Sequence, residues 1–223
     1  MENRKDVFEA EQVKRLVLEA GCAEVQLGVQ EGLAEITVVA EIDSETEYRC
    51  EFQDGELSVH SEQKKARRRL IKHTDMEDKI LIQIPADKVF ESAEFEIGVG
   101  NAKVDKVRAQ EDIEVQVGAG KLMIADAESK KLAVSCGVGH FAMKGDVTGN
   151  VDVECGMGEC ELELAKPESE YRFELECGMG KVQVNGTKLA GFGNTHTYGN
   201  PDAPGKITVE CGMGSVEIRT AAV

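Results

Sequence analysis

The stretch Val151-Asp152-Val153-Glu154-Cys155-Gly156-Met157-Gly158-Glu159-Cys160-Glu161-Leu162-Glu163-Leu164 decides the fold. Apolar and polar residues alternate into a pair of glycines and alternate again out of it. A period of two marks strands with one face buried. Cys-Gly-Met-Gly returns at 177–180 and 211–214, and looser copies stand at 97–100, 117–120 and 136–139. The first glycines, Gly98, Gly118, Gly137, Gly156, Gly178 and Gly212, step by 20, 19, 19, 22 and 34 residues. A recurring step near 20 is the signature of a stacked repeat, in which each unit covers the apolar face of the next.

Each unit is read as strand, corner, strand. The glycines are expected to allow a sharp turn with positive φ. The residue between them (Val99, Ala119, Val138, Met157, Met179 or Met213) is always apolar and is expected to point inward. Cys136, Cys155, Cys177 and Cys211 hold one place in the repeat, so in-register stacking sets them in an inward column at the strand spacing of ~4.8 Å.

The run Ile80-Leu81-Ile82-Gln83-Ile84-Pro85, then Phe95-Glu96-Ile97-Gly98-Val99-Gly100 and the later rungs, resembles the bacterial "putative adhesin" domain family of unknown function. The likeness is strongest over 80–223 and looser over 13–79. It implies an all-β, right-handed parallel β-helix-like solenoid. It transfers no catalytic residue. Cysteines stand here where that family usually carries Ser or Thr.

At 223 residues the chain suits one or two domains with a substantial core. It has no apolar run long enough to span a membrane. Met1-Glu2-Asn3-Arg4-Lys5-Asp6 does not lead into a signal-type segment, which points to the cytoplasm, or to the cell surface if a leader has been removed. Seven cysteines, an odd number mostly on apolar faces, are expected as free thiols. A net charge of −16 disfavours nucleic acid and anionic membrane as partners.

Residues 1–78 are expected to form an antiparallel β cap and 79–223 the solenoid of Gly-x-Gly rungs. Residues 13–27 fit a helix or the strand–Gly–strand grammar, and the later copies favour strands. Further strands are expected at 34–41, 47–53 and 56–60, with Asp54-Gly55 making a hairpin turn. Lys64-Lys65-Ala66-Arg67-Arg68-Arg69 with Lys72 is the basic cluster, read as a charged edge ahead of an anion-binding patch. Residues 185–206 interrupt the repeat and carry Phe192, His196 and Tyr198, a surface hairpin or a binding loop. The final rung, 207–218, is expected to form an end layer, covered by this excursion or by a second copy paired through that rung.

The chemistry in view is sparse. Soft metals suit the thiols and methionines, but zinc needs four ligands about one point and a column spreads them along its axis, so no metal or cofactor is expected. Gly118-Ala119-Gly120-Lys121 lacks the ending of a phosphate loop. No nucleophile–base–orienter set is legible, so no enzyme is expected. Glu154, Glu176 and Glu210 each precede a column cysteine, so they stack outward, either solvated or as a site for a cation or basic partner. The reading is a non-enzymatic interaction or adhesin-like binding module for a protein or glycan. The alternatives are a cytoplasmic regulatory scaffold assembling through strand edges, and a soft-metal or redox protein using the cysteine column.

Overall fold

The computed structural model describes residues 1–64, 78–189 and 194–222. The strands are β1 (Glu2–Glu9), β2 (Arg15–Ala20), β3 (Glu24–Gln30), β4 (Glu35–Ile42), β5 (Thr46–Gln53), β6 (Glu56–Gln63), β7 (Lys79–Pro85), β8 (Phe90–Ile97), β9 (Asn101–Val104) and β10 (Val107–Val117). They continue as β11 (Lys121–Ser129), β12 (Lys131–Cys136), β13 (His140–Val147), β14 (Val151–Cys155), β15 (Glu159–Pro167), β16 (Tyr171–Cys177), β17 (Lys181–Val184), β18 (Thr187–Leu189), β19 (Asn194–Gly199), β20 (Gly205–Cys211) and β21 (Ser215–Ala221). The only helical element among the described residues is a 3-10 turn at Glu168–Glu170.

The strands stack into two faces. On the first, β6, β2, β8, β10, β12, β14, β20 and β16 run parallel in that spatial order. On the second, β7, β3, β9, β11, β13, β15, β21 and β17 do the same. A rung is one strand from each face, as in β14 and β15. Strand β10 serves both faces. Val107 and Arg108 pair with β11, and an irregularity between Ala109 and Asp112 turns the strand onto the first face. In-register stacking puts apolar positions over apolar positions, and one core containing Phe95, Phe141, Leu162 and Phe173 fills the space between the faces.

The corners explain the glycines, though not by positive φ. None of the repeat's corner glycines has a positive φ; among the described glycines that region holds Gly32, Gly55, Gly186 and Gly199. Close approach is the cause. The carbonyl of Gly156 accepts the N–H of Met213 at 2.8 Å and that of Gly214 at 3.0 Å. A Cβ on Gly214 would lie 2.4 Å from the Gly158 oxygen, and one on Gly212 2.9 Å from the Gly156 oxygen. The residue between the glycines is also not inward. Val99, Val138, Met157, Met179 and Met213 are each more than half exposed, and Ala119 is exposed. Burial shows why: the inward set runs 151, 153, 155, then 158, 160, 162, so alternation breaks inside the corner and turns Met157 out.

The chain does not stack in sequence order. The final rung, β20/β21, lies between β14/β15 and β16/β17. It is interior, so the expected end layer at 207–218 is not an end, and both its edges are already paired within the chain. Pairing of a second copy through that rung is therefore closed off. The excursion does cover an end, that of the preceding rung: β18 pairs antiparallel with β17, and β19 with β16.

The N-terminus repeats this arrangement. Rung β2/β3 lies between β6/β7 and β8/β9. Residues 1–78 thus contain parallel rung strands as well as antiparallel cap strands. The cap proper is β5 on β6 and β1 on β4, with β4 on β7. The turn between β5 and β6 has positive φ at Asp54 and Gly55, as its sequence suggests. The basic residues at 65–69 and Lys72 lie outside the described residues.

Replacing Gly214 by Ala sets a Cβ against the backbone of the neighbouring rung. We expect a loss of about 1–3 kcal/mol or more, the range for overpacking a rigid site. Val138→Ala, on the exposed side of a corner, should stay within about 0.5 kcal/mol. Urea denaturation of both variants checks the contrast. Equal stability of Gly214→Ala and the parent would contradict the close-approach account.

Candidate functional site

Two surface features meet along the corner edge. The first is a ridge. In spatial order Val99, Ala119, Val138, Met157, Met213 and Met179 project from successive corners, each joined to the next by backbone hydrogen bonds of 2.7–2.8 Å. Neighbours stand ~4.8 Å apart, so the ridge is ~24 Å long. Such a run of exposed apolar side chains is unlike the scattered ones of ordinary surfaces. A shallow open groove of about 590 Å³ runs beside it, lined by Ala119, Val138, His140, Met157, Glu159 and Met213 among others.

The second feature is the outer surface of the first face. Glu154, Glu210 and Glu176 stand side by side in register, in that order, and all are exposed. Glu19 pairs with Glu96 in the same row position, and Glu94 with Glu114 in the adjoining one. Ion pairs lie at the margins of this face, as Arg15–Glu56 at 3.1 Å and Lys206–Glu174 at 2.7 Å. Among the described residues, Glu94, Glu96, Glu114, Asp152, Glu154, Glu176 and Glu210 take part in no ion pair. The second face mixes its charges, with Lys144–Glu163 at 2.7 Å and Arg219–Glu217 at 2.8 Å.

The fold also locates the other residues singled out from the sequence. Cys136, Cys155, Cys211 and Cys177 form the expected inward column, with Cys211 between Cys155 and Cys177. All four are buried, and Cys160 joins them from the opposite strand of its rung. All seven cysteines are free. A hydrogen bond from Cys160 holds the Cys136 thiol below its ordinary value, and the same contact raises Cys160. Burial, with Cys155 nearby, pushes Cys211 up to about 12. Tyr198 is a cap residue: its ring stacks on Phe173 at 4.7 Å and 5°, and burial pushes its phenol up to about 12. His196 sits opposite Leu175 on the same cap strand, its Nε2 buried without a partner among the described residues. Neither gathers with the glutamates into one site. Phe192 lies outside the described residues.

The chain belongs to the Toastrack DUF4097 family, whose sequence profile matches residues 13–216. The Toastrack chain is similar to a solved structure described as a "putative cell adhesion protein" from Clostridium sporogenes, with 16% identity over 99% of each chain and a TM-score of 0.53. A "putative adhesin" from Bacteroides fragilis matches at 10% identity, 97% of each chain and a TM-score of 0.34. One from Parabacteroides distasonis matches at 12%, 97% of each chain and 0.35. At 16% identity the likeness to the Clostridium sporogenes structure speaks for the fold alone. No curated protein matches the chain. Among the described residues no helix is long and apolar enough to cross a membrane.

Three features are not legible in a single repeat. Simple alternation places the ridge residues in the core, whereas the switch of inward parity between Cys155 and Cys160 breaks that alternation and exposes them. The acidic row was legible as three glutamates, but the second acidic group on the same face, Glu94, Glu96 and Glu114, set off from it by Gln116, Ser135 and Ala133, needs the stacking order. His140, Glu159 and Glu161 bring ligand atoms within 4.8 Å of one another, yet His140 belongs to a different rung from its partners.

Crowding on the acidic face has a measurable consequence. Burial first, then the charges of Glu114, Glu19, Glu96 and Glu56, raise the Glu94 carboxyl above its ordinary value. A carboxyl raised in the folded state binds its proton more tightly there than in the unfolded chain. The charged form therefore costs stability above the folded value, and that cost is relieved as pH falls through it. Glu94→Gln should be more stable than the parent at pH 7, with the gap closing as pH drops into the ordinary carboxylate range. Urea titrations at a series of pH values test this, and a variant less stable at pH 7 would contradict it.

Proposed function

We propose that this Toastrack chain is a non-enzymatic interaction module that docks a basic protein partner along the corner edge. The observation that carries the reading is the meeting of an exposed apolar ridge with the row Glu154, Glu210 and Glu176, which takes part in no ion pair among the described residues. An apolar strip supplies the area whose removal from water favours association. The adjoining negative field selects and steers a partner that presents lysines or arginines beside apolar side chains. Placement on stacked rungs rather than loops makes the surface rigid before binding, which lowers the ordering cost of association. The adhesion-related description of the Clostridium sporogenes relative is consistent with a binding role and names no ligand for this chain.

The test uses a lysine–leucine alternating peptide as a defined basic, apolar probe. The triple variant Glu154→Gln/Glu176→Gln/Glu210→Gln should lose about tenfold in affinity, near 1.4 kcal/mol. A control of equal net charge, Glu24→Gln/Glu161→Gln/Glu163→Gln on the second face, should lose less than about threefold, near 0.65 kcal/mol. Raising salt should weaken the parent more than the first triple variant. Equal losses in the two variants would mean that net charge alone attracts the probe, and the docking surface would be rejected.

A further inference from the structure

Sulfur is concentrated at one end of the corner edge, and the chain's threading puts it there. In sequence, Met157 and Met179 belong to consecutive repeats, and Met213 follows after the excursion. In space Met213 lies between them, because β20 and β21 insert between the other two rungs. Three thioethers thus occupy three adjacent corners, while Val99, Ala119 and Val138 fill the corners beyond. They are 59%, 54% and 62% exposed for Met157, Met213 and Met179. A flexible core filler has no packing role at that exposure, since methionine's usual advantage is to fill irregular interior gaps.

We propose that Met157, Met213 and Met179 form a surface site for a soft monovalent cation of the Cu(I) and Ag(I) class. Thioether sulfur is a ligand that selects such ions. With a metal–sulfur length near ~2.3 Å, the value for zinc–sulfur bonds, three sulfurs around one ion sit ~4.0 Å apart. Adjacent corners supply anchors ~4.8 Å apart, and three rotatable bonds per side chain let the sulfurs converge on the central rung. Flanking glycines leave the approach open. The carboxylates of Glu154, Glu210 and Glu176, one strand position before each column cysteine, lend a negative field that favours a cation over a neutral ligand. Thioethers carry no proton to lose, so uptake needs no deprotonation, unlike the buried thiols on the same rungs.

The site shares its three methionines with the docking ridge but does not rest on that reading, and leucine removes the sulfur while leaving the position apolar. The intact chain, labelled with ¹³C at its methionine methyls, is titrated anaerobically with silver nitrate. The methyl signals of Met157, Met213 and Met179 should move together within the first equivalent, ahead of the other methionines. Excess Ca(II) should not displace the ion, whereas Cu(I) should. Met157→Leu/Met179→Leu/Met213→Leu should bind the first Ag(I) at least about tenfold more weakly while keeping the urea unfolding midpoint of the parent within the range of an exposed substitution. Three outcomes overturn the proposal: unmoved methyl signals with the ion taken up by thiols, displacement by Ca(II), or a triple variant that binds silver as tightly as the parent. If the triple variant fails to fold, the parent titration and Met213→Leu alone decide the matter by the same criteria.

Discussion

A single doubly used carbonyl holds the corners in register. At the corners of Gly98, Gly118, Gly137, Gly156 and Gly212 the oxygen of the first glycine receives two N–H groups from the next rung, one from the apolar residue and one from the second glycine. Gly98 bonds Ala119 at 2.7 Å and Gly120 at 3.0 Å, and Gly137 bonds Met157 and Gly158 at the same two distances. Two donors on one acceptor draw the backbones so close that no Cβ fits. The same geometry interrupts the alternation of the strands. The cysteine before each corner therefore stays in the core while the methionine within it faces water. The inner thiol column and the outer ridge are two consequences of one hydrogen-bond pattern.

Stacked repeats often add one unit after another along the chain, and their stability is then close to a sum over neighbours. This chain departs from that order at both ends. A rung from near each terminus is laid inside the outermost rung, and antiparallel strands close over what remains. The outermost rungs are thus internal in sequence, and no terminal strand is left as an open edge of the parallel stack. Open edges invite pairing between molecules, and the strands that do lie outermost, such as β1 and β5, are rich in charged residues.

Much of this was legible from the residues. Period-two alternation located the strands of the rungs, though not β1, β18 or β19, and the step of 20, 19 and 19 residues from Gly98 to Gly156 pointed to parallel stacking with the cysteines in one column. Strand–Gly–strand grammar at 13–27 also proved right, with Gly21 at the bend. The threading was not legible, because the final copy resembles its two neighbours equally well: Cys-Gly-Met-Gly at 177–180 and 211–214 is identical, and nothing local ranks one above the other along the stack. Positive φ at the corners was the ordinary reason for glycine and here the wrong one, since contact between rungs cannot be seen in a single repeat. The acidic face was visible as Glu154, Glu176 and Glu210. Its breadth depends on Glu94 and Glu114 being neighbours, which only pairing of β8 with β10 creates.

The interior position of the last rung orders the methionine ridge, the acidic row and the cap, so it is the claim to test first. Native-state hydrogen exchange at single-residue resolution addresses it directly. Amides of β20 and β21, including those of Val209, Cys211, Met213 and Val216, should exchange as slowly as those of β12 and β14, through opening close to global unfolding. Those of β18 and β19 should exchange faster. If the β20 and β21 amides exchange early, as a fraying end does, while β16 and β17 remain protected without them, the last rung is not interior and the account fails.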